Sequence, residues 1–161
     1  MTWVTDGQTG KQYTVQPTDT VNYHTNRQTC NNLGGFLAEP RSPQENTFVA
    51  MIANCSDCQV VLGLTDEVTE GRWLWDTDGS KVTWLNWAVW SGGYPEPDNL
   101  DTHNCAKLMN VEPATVIGEY QGVWGDYICS GGTPNTYVKK LVCQRKEGDY
   151  INCASIEISG I

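Results

Sequence analysis

The chain lacks any apolar run near the roughly 18 residues that a membrane-spanning helix requires, so membrane insertion is not expected. It is also short of basic charge: 10 Lys and Arg stand against 19 Asp and Glu, a formal net charge of −9. That balance argues against nucleic acid and anionic membrane as partners. There is no Gly-x-Ser-x-Gly elbow, no P-loop and no His-Glu-x-x-His sequence, and an enzyme is therefore not expected. The first residues, Met1-Thr2-Trp3-Val4, lack the basic and apolar regions of a secretory signal, and they read as a mature start with an added Met.

What is present is cysteine and tryptophan, 7 of each, with 16 Gly and 7 Pro. A length of 161 residues suits one ordinary domain with a core of its own. The cysteine density fits a disulfide framework and hence a secreted, extracellular protein. Because the count is odd, at least one thiol is free or pairs with another chain, which opens a route to a disulfide-linked homo-oligomer. Asn54-Cys55-Ser56 is a formal glycosylation sequon.

The first part of the sequence reads as two helices. Asp19 or Thr20 can cap one that runs to about Leu33, with Tyr23, Cys30 and Leu33 on one side and Gly34-Gly35 as its stop. Ser42-Pro43-Gln44-Glu45 opens the second with a capping Ser, a Pro in the first turn and a Glu to close the box. Phe48, Val49 and Ile52 follow as its apolar face. Strand patterns then appear at Gln59 to Thr65, Trp73 to Trp75, Ala106 to Met109, Gly122 to Trp124 and Tyr137 to Gln144. Two helices followed by strands imply an α+β domain.

Between Asp66 and Asn104 the chain is loop-like and acidic. Eight acids (Asp66, Glu67, Glu70, Asp76, Asp78, Glu96, Asp98 and Asp101) are opposed only by Arg72 and Lys81, which accounts for −6 of the −9. Such crowding is either a solvated acidic face or a segment that a cation neutralises. A loop of this length inside one domain is more often functional than idle.

Several short stretches then fall into a familiar order. Leu62-Gly63-Leu64-Thr65-Asp66, Asn86-Trp87, Glu96-Pro97-Asp98, Asn104-Cys105, Trp124-Gly125-Asp126, Cys129 and Leu141-Val142-Cys143 together resemble a C-type lectin domain. The stretch from Asp66 to Gly71 resembles the mannose-binding collectins. The similarity runs from about Tyr13 to Arg145, which suggests an N-terminal extension at 1–12, the domain at 13–146 and a tail at 147–161. The resemblance implies two helices, small antiparallel sheets and a long calcium- and ligand-binding loop region. It also implies disulfides Cys30–Cys143 and Cys105–Cys129, each contributing about 3–5 kcal/mol by restricting the unfolded chain. Cys55, Cys58 and Cys153 remain. Cys55-Ser56-Asp57-Cys58 could instead be half a zinc site, but a second ligand pair is missing.

By the same resemblance, a calcium ion would sit on Glu96, Asp98 and Asp126, with a cis peptide before Pro97, and two vicinal sugar hydroxyls would bind it. Asp101 is a further candidate ligand, and Asp66 and Glu70 would share an auxiliary site with Asn99 and Asn104. The sequence departs from the pattern at Gly125, where an Asn is usual, and at His103 and Asn104, where acids are usual. Glu96, Asp98, Asp126, His103 and Tyr94 are the candidate ligand-binding residues, with Tyr94 or Trp90 available to stack on a sugar. Glu96 matches the mannose-type motif and Asp98 the galactose-type motif, and no aromatic follows Asp98. The expected partners are glycans of cell or microbial surfaces, with mannose- or fucose-type sugars favoured at about millimolar affinity. Proton competition is expected to weaken calcium binding below about pH 5 to 6. The alternative is a calcium-independent module that binds protein, ice or mineral through the same face. Trp73, Trp75, Trp84, Trp87 and Trp124 are read mainly as core.

Overall fold

The computed structural model describes residues 1–98, 101–132 and 137–146. In chain order the elements are β1 (Val4–Thr5), β2 (Gln12–Pro17), α1 (Tyr23–Asn32), β3 (Phe36–Leu37), α2 (Pro43–Ala53), β4 (Cys58–Thr65), β5 (Leu74–Trp75), β6 (Cys105–Asn110), β7 (Gln121–Tyr127) and β8 (Val138–Arg145). The fold is α+β. Its strands form one hydrogen-bonded sheet with the path β1-β2-β8-β4-β6-β7, with β3 attached to β8 and β5 to β4. One pairing, β4 with β8, is parallel, so the sheet is mixed where separate antiparallel sheets were expected. The parallel contact arises because β4 and β8 meet at the centre of the path, each continuing into an antiparallel neighbour on its other side.

Both helices begin where a side-chain oxygen meets an orphan N–H. For α1 the cap is Asn22, which accepts from Thr25 N, rather than Asp19 or Thr20. The start is displaced because buried Val21 enters the core first, and Thr20 instead accepts from Asn22 N. Ser42 caps α2 and accepts from Glu45 N at 3.2 Å. The Glu45 carboxylate turns back one residue further than a capping box requires, to Arg41 N, and its other oxygen holds Lys11 at 2.6 Å. The buried side of α2 is Val49, Ala50 and Ala53, while Phe48 and Ile52 are only half-buried against the core.

The main core lies between α2 and the sheet and holds Val60, Leu62, Leu64, Trp73, Trp75, Leu108 and Trp124. Trp124 is fully buried, and the Trp75, Trp84 and Trp87 rings lie against it with centroids at 6.3, 5.3 and 5.8 Å, all near edge-on. Its indole N–H donates to Asn46 Oδ1 at 2.8 Å, satisfying the one polar atom that burial would otherwise strand. Gly63 is dictated by closeness: a Cβ there would lie 3.1 Å from the Leu37 carbonyl oxygen. Glu39 is a buried carboxylate held by Arg41, Thr77 N and Thr77 Oγ1, and it pins the start of the long loop to the core.

Three disulfides are present: Cys30–Cys143 ties α1 to β8, Cys105–Cys129 ties β6 to the end of β7, and Cys55–Cys58 closes the turn between α2 and β4. With six of the seven cysteines so paired, Cys153 is the remaining one, and it lies outside the described residues. Alkylation without reduction, followed by peptide mapping, should therefore label Cys153 alone or find it joined to a second chain. A label on Cys55 or Cys58 in the native protein would contradict the pairing.

Candidate cation and ligand site

The long loop is laced onto β7 through backbone hydrogen bonds rather than through regular strands. Trp124 N donates to Asn86 O, Ala88 N to Trp124 O, and Glu96 N to Ala88 O, at 2.8 Å each. These bonds carry Glu96 to the edge of β7, where the Glu96–Pro97 peptide is cis. Glu96 Oε1 accepts from Trp90 Nε1 at 2.7 Å, and Glu96 Oε2 from Asp126 N at 3.3 Å. Asp98 N in turn donates to Asp126 Oδ1 at 3.2 Å. Glu96, Asp98 and Asp126, which belong to different segments of the sequence, are thus cross-linked into one cluster.

His103 completes the cluster. Its Nδ1 lies 3.3 Å from Asp98 Oδ2 but without hydrogen-bond geometry, so the contact is electrostatic at most. One ligand atom from each of Asp98, His103 and Asp126 lies within 4.8 Å of the other two. Asp126 is 7 % exposed, and its Oδ2 is buried without a hydrogen-bond partner among the described residues. Burial, reinforced by the Glu96 carboxylate beside it, pushes the Asp126 carboxyl up to about 8. A buried carboxylate oxygen with no donor, beside two further carboxylates, is costly unless a proton or a cation neutralises it. The residues therefore fit a divalent cation.

The other sequence candidates fall around this cluster in different ways. Asp66 is buried, with Oδ2 accepting from Gly71 N at 2.8 Å and Oδ1 without a hydrogen-bond partner among the described residues, and burial pushes its carboxyl up. Glu70 is exposed, and its carboxyl is also raised, by partial desolvation first and then by the charges of Asp66, Asp101 and Asp98. Asp101 is exposed, and its carbonyl accepts from Asn104 Nδ2. Asn99, the remaining member of the expected auxiliary site, lies outside the described residues. Tyr94 is 73 % exposed at the rim. Trp90 is half-buried and donates its indole N–H to Glu96, which fixes the orientation of that carboxylate.

Two features were not read from the sequence. Gly125 sits close beside the cluster: a Cβ there would lie 3.0 Å from Met109 Cε and 3.6 Å from Glu96 Cδ, and the residue lines a cavity of about 230 Å³ together with Trp90, Lys107 and Met109. Lys107, from β6, enters that cavity, with Nζ 5.4 Å from the centroid of the Tyr127 ring. Desolvation lowers its pKa, and the charges of Glu96 and Asp126 oppose that shift. No local sequence signal marks either feature, because Lys107 reaches the cavity only through its register opposite Gly125 on β7.

Comparison with known proteins agrees with this architecture. A family model described as the Lectin C-type domain matches residues 19–145. A mannose-binding protein of Gallus gallus is 32% identical over 101 residues, covering 63% of this chain and 33% of that protein, so the match spans about a third of that relative. Among solved structures, the mouse scavenger receptor C-type lectin carbohydrate-recognition domain aligns with a TM-score of 0.63 at 23% identity, over 89% of this chain and 95% of that one. The cow carbohydrate-recognition domain of CD23, in the presence of a GlcNAc2Man3 oligosaccharide, gives 0.64 at 26% identity over 89% and 92%. A herring type II antifreeze protein gives 0.66 at 21% identity over 89% and 95%. With the family model covering most of the chain, and two helices, a mixed sheet and a disulfide-tied long loop in place, the chain belongs to the C-type lectin domain family.

Proposed function

We propose that this domain binds saccharides of the mannose or fucose type in a calcium-dependent manner, without catalysis, and works in an extracellular setting on cell-surface or microbial glycans. The observation that carries the reading is the convergence of Glu96, Asp98 and Asp126 beside a buried carboxylate oxygen that has no donor among the described residues. Glu96, Asp98 and Asp126 would hold the ion, with Asp101 in reserve at the rim and Asp66 and Glu70 toward an auxiliary position. Calcium, when bound, would supply a Lewis-acidic centre for two vicinal hydroxyls. The carboxylates accept from those hydroxyls, and the pattern of acceptors and donors selects their stereochemistry. Tyr94, whose side chain is exposed, offers an aromatic face for the apolar side of a sugar ring. A mannose-binding protein among the relatives supports the sugar class.

Calcium should raise the melting temperature, since a ligand that binds only the folded state stabilises it. A glycan array read with calcium and with chelator tests the rest. Mannose-type signals should disappear in chelator, and Glu96→Gln should move preference toward galactose. Wild type that prefers galactose, or that binds mannose equally well in chelator, overturns the proposal. Binding that persists in chelator points to the calcium-independent module.

A further inference from the structure

We infer that Asp98, His103 and Asp126 form a site for zinc, which it binds more tightly than calcium. Calcium takes 6–8 oxygen ligands at about 2.3–2.6 Å and has little affinity for imidazole. Here the family-type acid is replaced by His103, and the usual amide-bearing side chain by Gly125. The cluster is left with fewer ligands, one of them a nitrogen. Zinc favours that set: three protein ligands of mixed N and O type, with the fourth position open.

The geometry points the same way. A tetrahedral ion with bonds of about 2.0–2.1 Å sets its ligand atoms about 3.4 Å apart. His103 Nδ1 and Asp98 Oδ2 are already 3.3 Å apart. Asp126 brings an oxygen within 4.8 Å of both. Two of the buried side-chain atoms that lack a hydrogen-bond partner among the described residues are His103 Nδ1 and Asp126 Oδ2, and both belong to this cluster. A nitrogen lone pair and a carboxylate oxygen, both kept from water and from donors, match what a borderline metal requires.

The site stands independently of the calcium reading, since three ligands suffice for zinc whether or not calcium also binds the carboxylates.

The test is separate calorimetric titration of zinc chloride and calcium chloride into the intact protein in a non-chelating buffer. It is paired with the visible spectrum of the cobalt(II) form, which separates tetrahedral from octahedral coordination. Zinc should bind at least about tenfold more tightly than calcium, and cobalt should give a tetrahedral spectrum. His103→Asn should weaken zinc by about tenfold or more, and His103→Asp should favour calcium over zinc. His24→Asn is the control for adventitious binding at the other histidine and should change nothing. Thermal melts of each variant confirm folding. Zinc affinity that is the same in wild type and His103→Asn, or calcium binding tighter than zinc in wild type, overturns the inference. A protein that binds zinc but shows no calcium binding upholds it and removes the calcium reading instead.

Discussion

Replacing Asp126 by Asn is expected to abolish the proposed calcium-dependent saccharide binding while making the calcium-free protein more stable above pH 8. The first effect follows from removing the carboxylate whose Oδ2 is buried without a donor at the centre of the cluster. The second follows from linkage. The Asp126 carboxyl is pushed up to about 8 in the folded protein, from its ordinary value of 3.8. The folded state therefore holds a proton that the unfolded chain has already released across that interval. Stability contributed by this group is greatest below about pH 4 and falls as the pH rises through 8. Asparagine keeps the shape and never ionises, so it escapes that loss. A change of 1 kcal/mol moves the melting temperature of a domain this size by about 2–4 °C. Melts of wild type and Asp126→Asn from pH 5 to 8.5, in chelator, should therefore diverge progressively toward alkaline pH. Parallel curves would show that Asp126 is ionised at no cost. The same shift moves proton competition with calcium upward. Affinity should decline from about pH 8 downward, well above the window of pH 5 to 6 expected from ordinary carboxylates.

Truncating Trp124 should give the largest loss of stability of any single core change. The side chain is fully buried, carries three tryptophan neighbours on its surface and donates to Asn46 Oδ1. Large-to-small changes of this kind cost about 3–5 kcal/mol, roughly a fifth or more of the 5–15 kcal/mol stability of a typical domain. Trp124→Ala should lower the melting temperature by about 10 °C. It should also reduce ligand affinity without touching a ligand, because Asn86, Ala88 and through them Glu96 hang from the Trp124 backbone. Trp124→Phe keeps most of the apolar area and loses the N–H donor, which leaves Asn46 Oδ1 unpaired at a cost of about 1–3 kcal/mol. If Trp124→Ala melts within 2–3 °C of wild type, the aromatic cluster is not the keystone of the core.

The sequence alone was enough for the features that are local or that follow from order along the chain. The α2 start was readable because Ser42, Pro43 and Glu45 act within one turn. The strands were readable because apolar runs such as Val60, Val61 and Leu62 sit at the centre of the sheet and are buried on both faces. Glu96-Pro97-Asp98 and Trp124-Gly125-Asp126 were marked as chemistry by the resemblance to the C-type lectin domain, which rests on the order of short motifs along the chain. The α1 cap was misplaced because Asp19, Thr20 and Asn22 are equally good caps locally, and only burial of Val21 decides among them. The parallel β4–β8 pairing joins residues some 80 positions apart, from Cys58 to Val138, and no periodicity encodes it.

The site divides in the same way. Its acidic residues were visible as types, but their charge states were not: Asp126 is raised because β7 buries it and Glu96 is brought beside it across 30 residues of chain. Trp90 was visible as an aromatic, but its service to Glu96 depends on the loop folding back through Ala88. Lys107 and the cavity at Gly125 exist only because β6 and β7 pair in one register. The helix and strand patterns indicated the α+β class, and the resemblance to the C-type lectin domain, carried by the order of its motifs, indicated which residues could act. Packing alone decided which carboxylate is left without a donor, because desolvation and hydrogen-bond pairing are properties of three-dimensional neighbours.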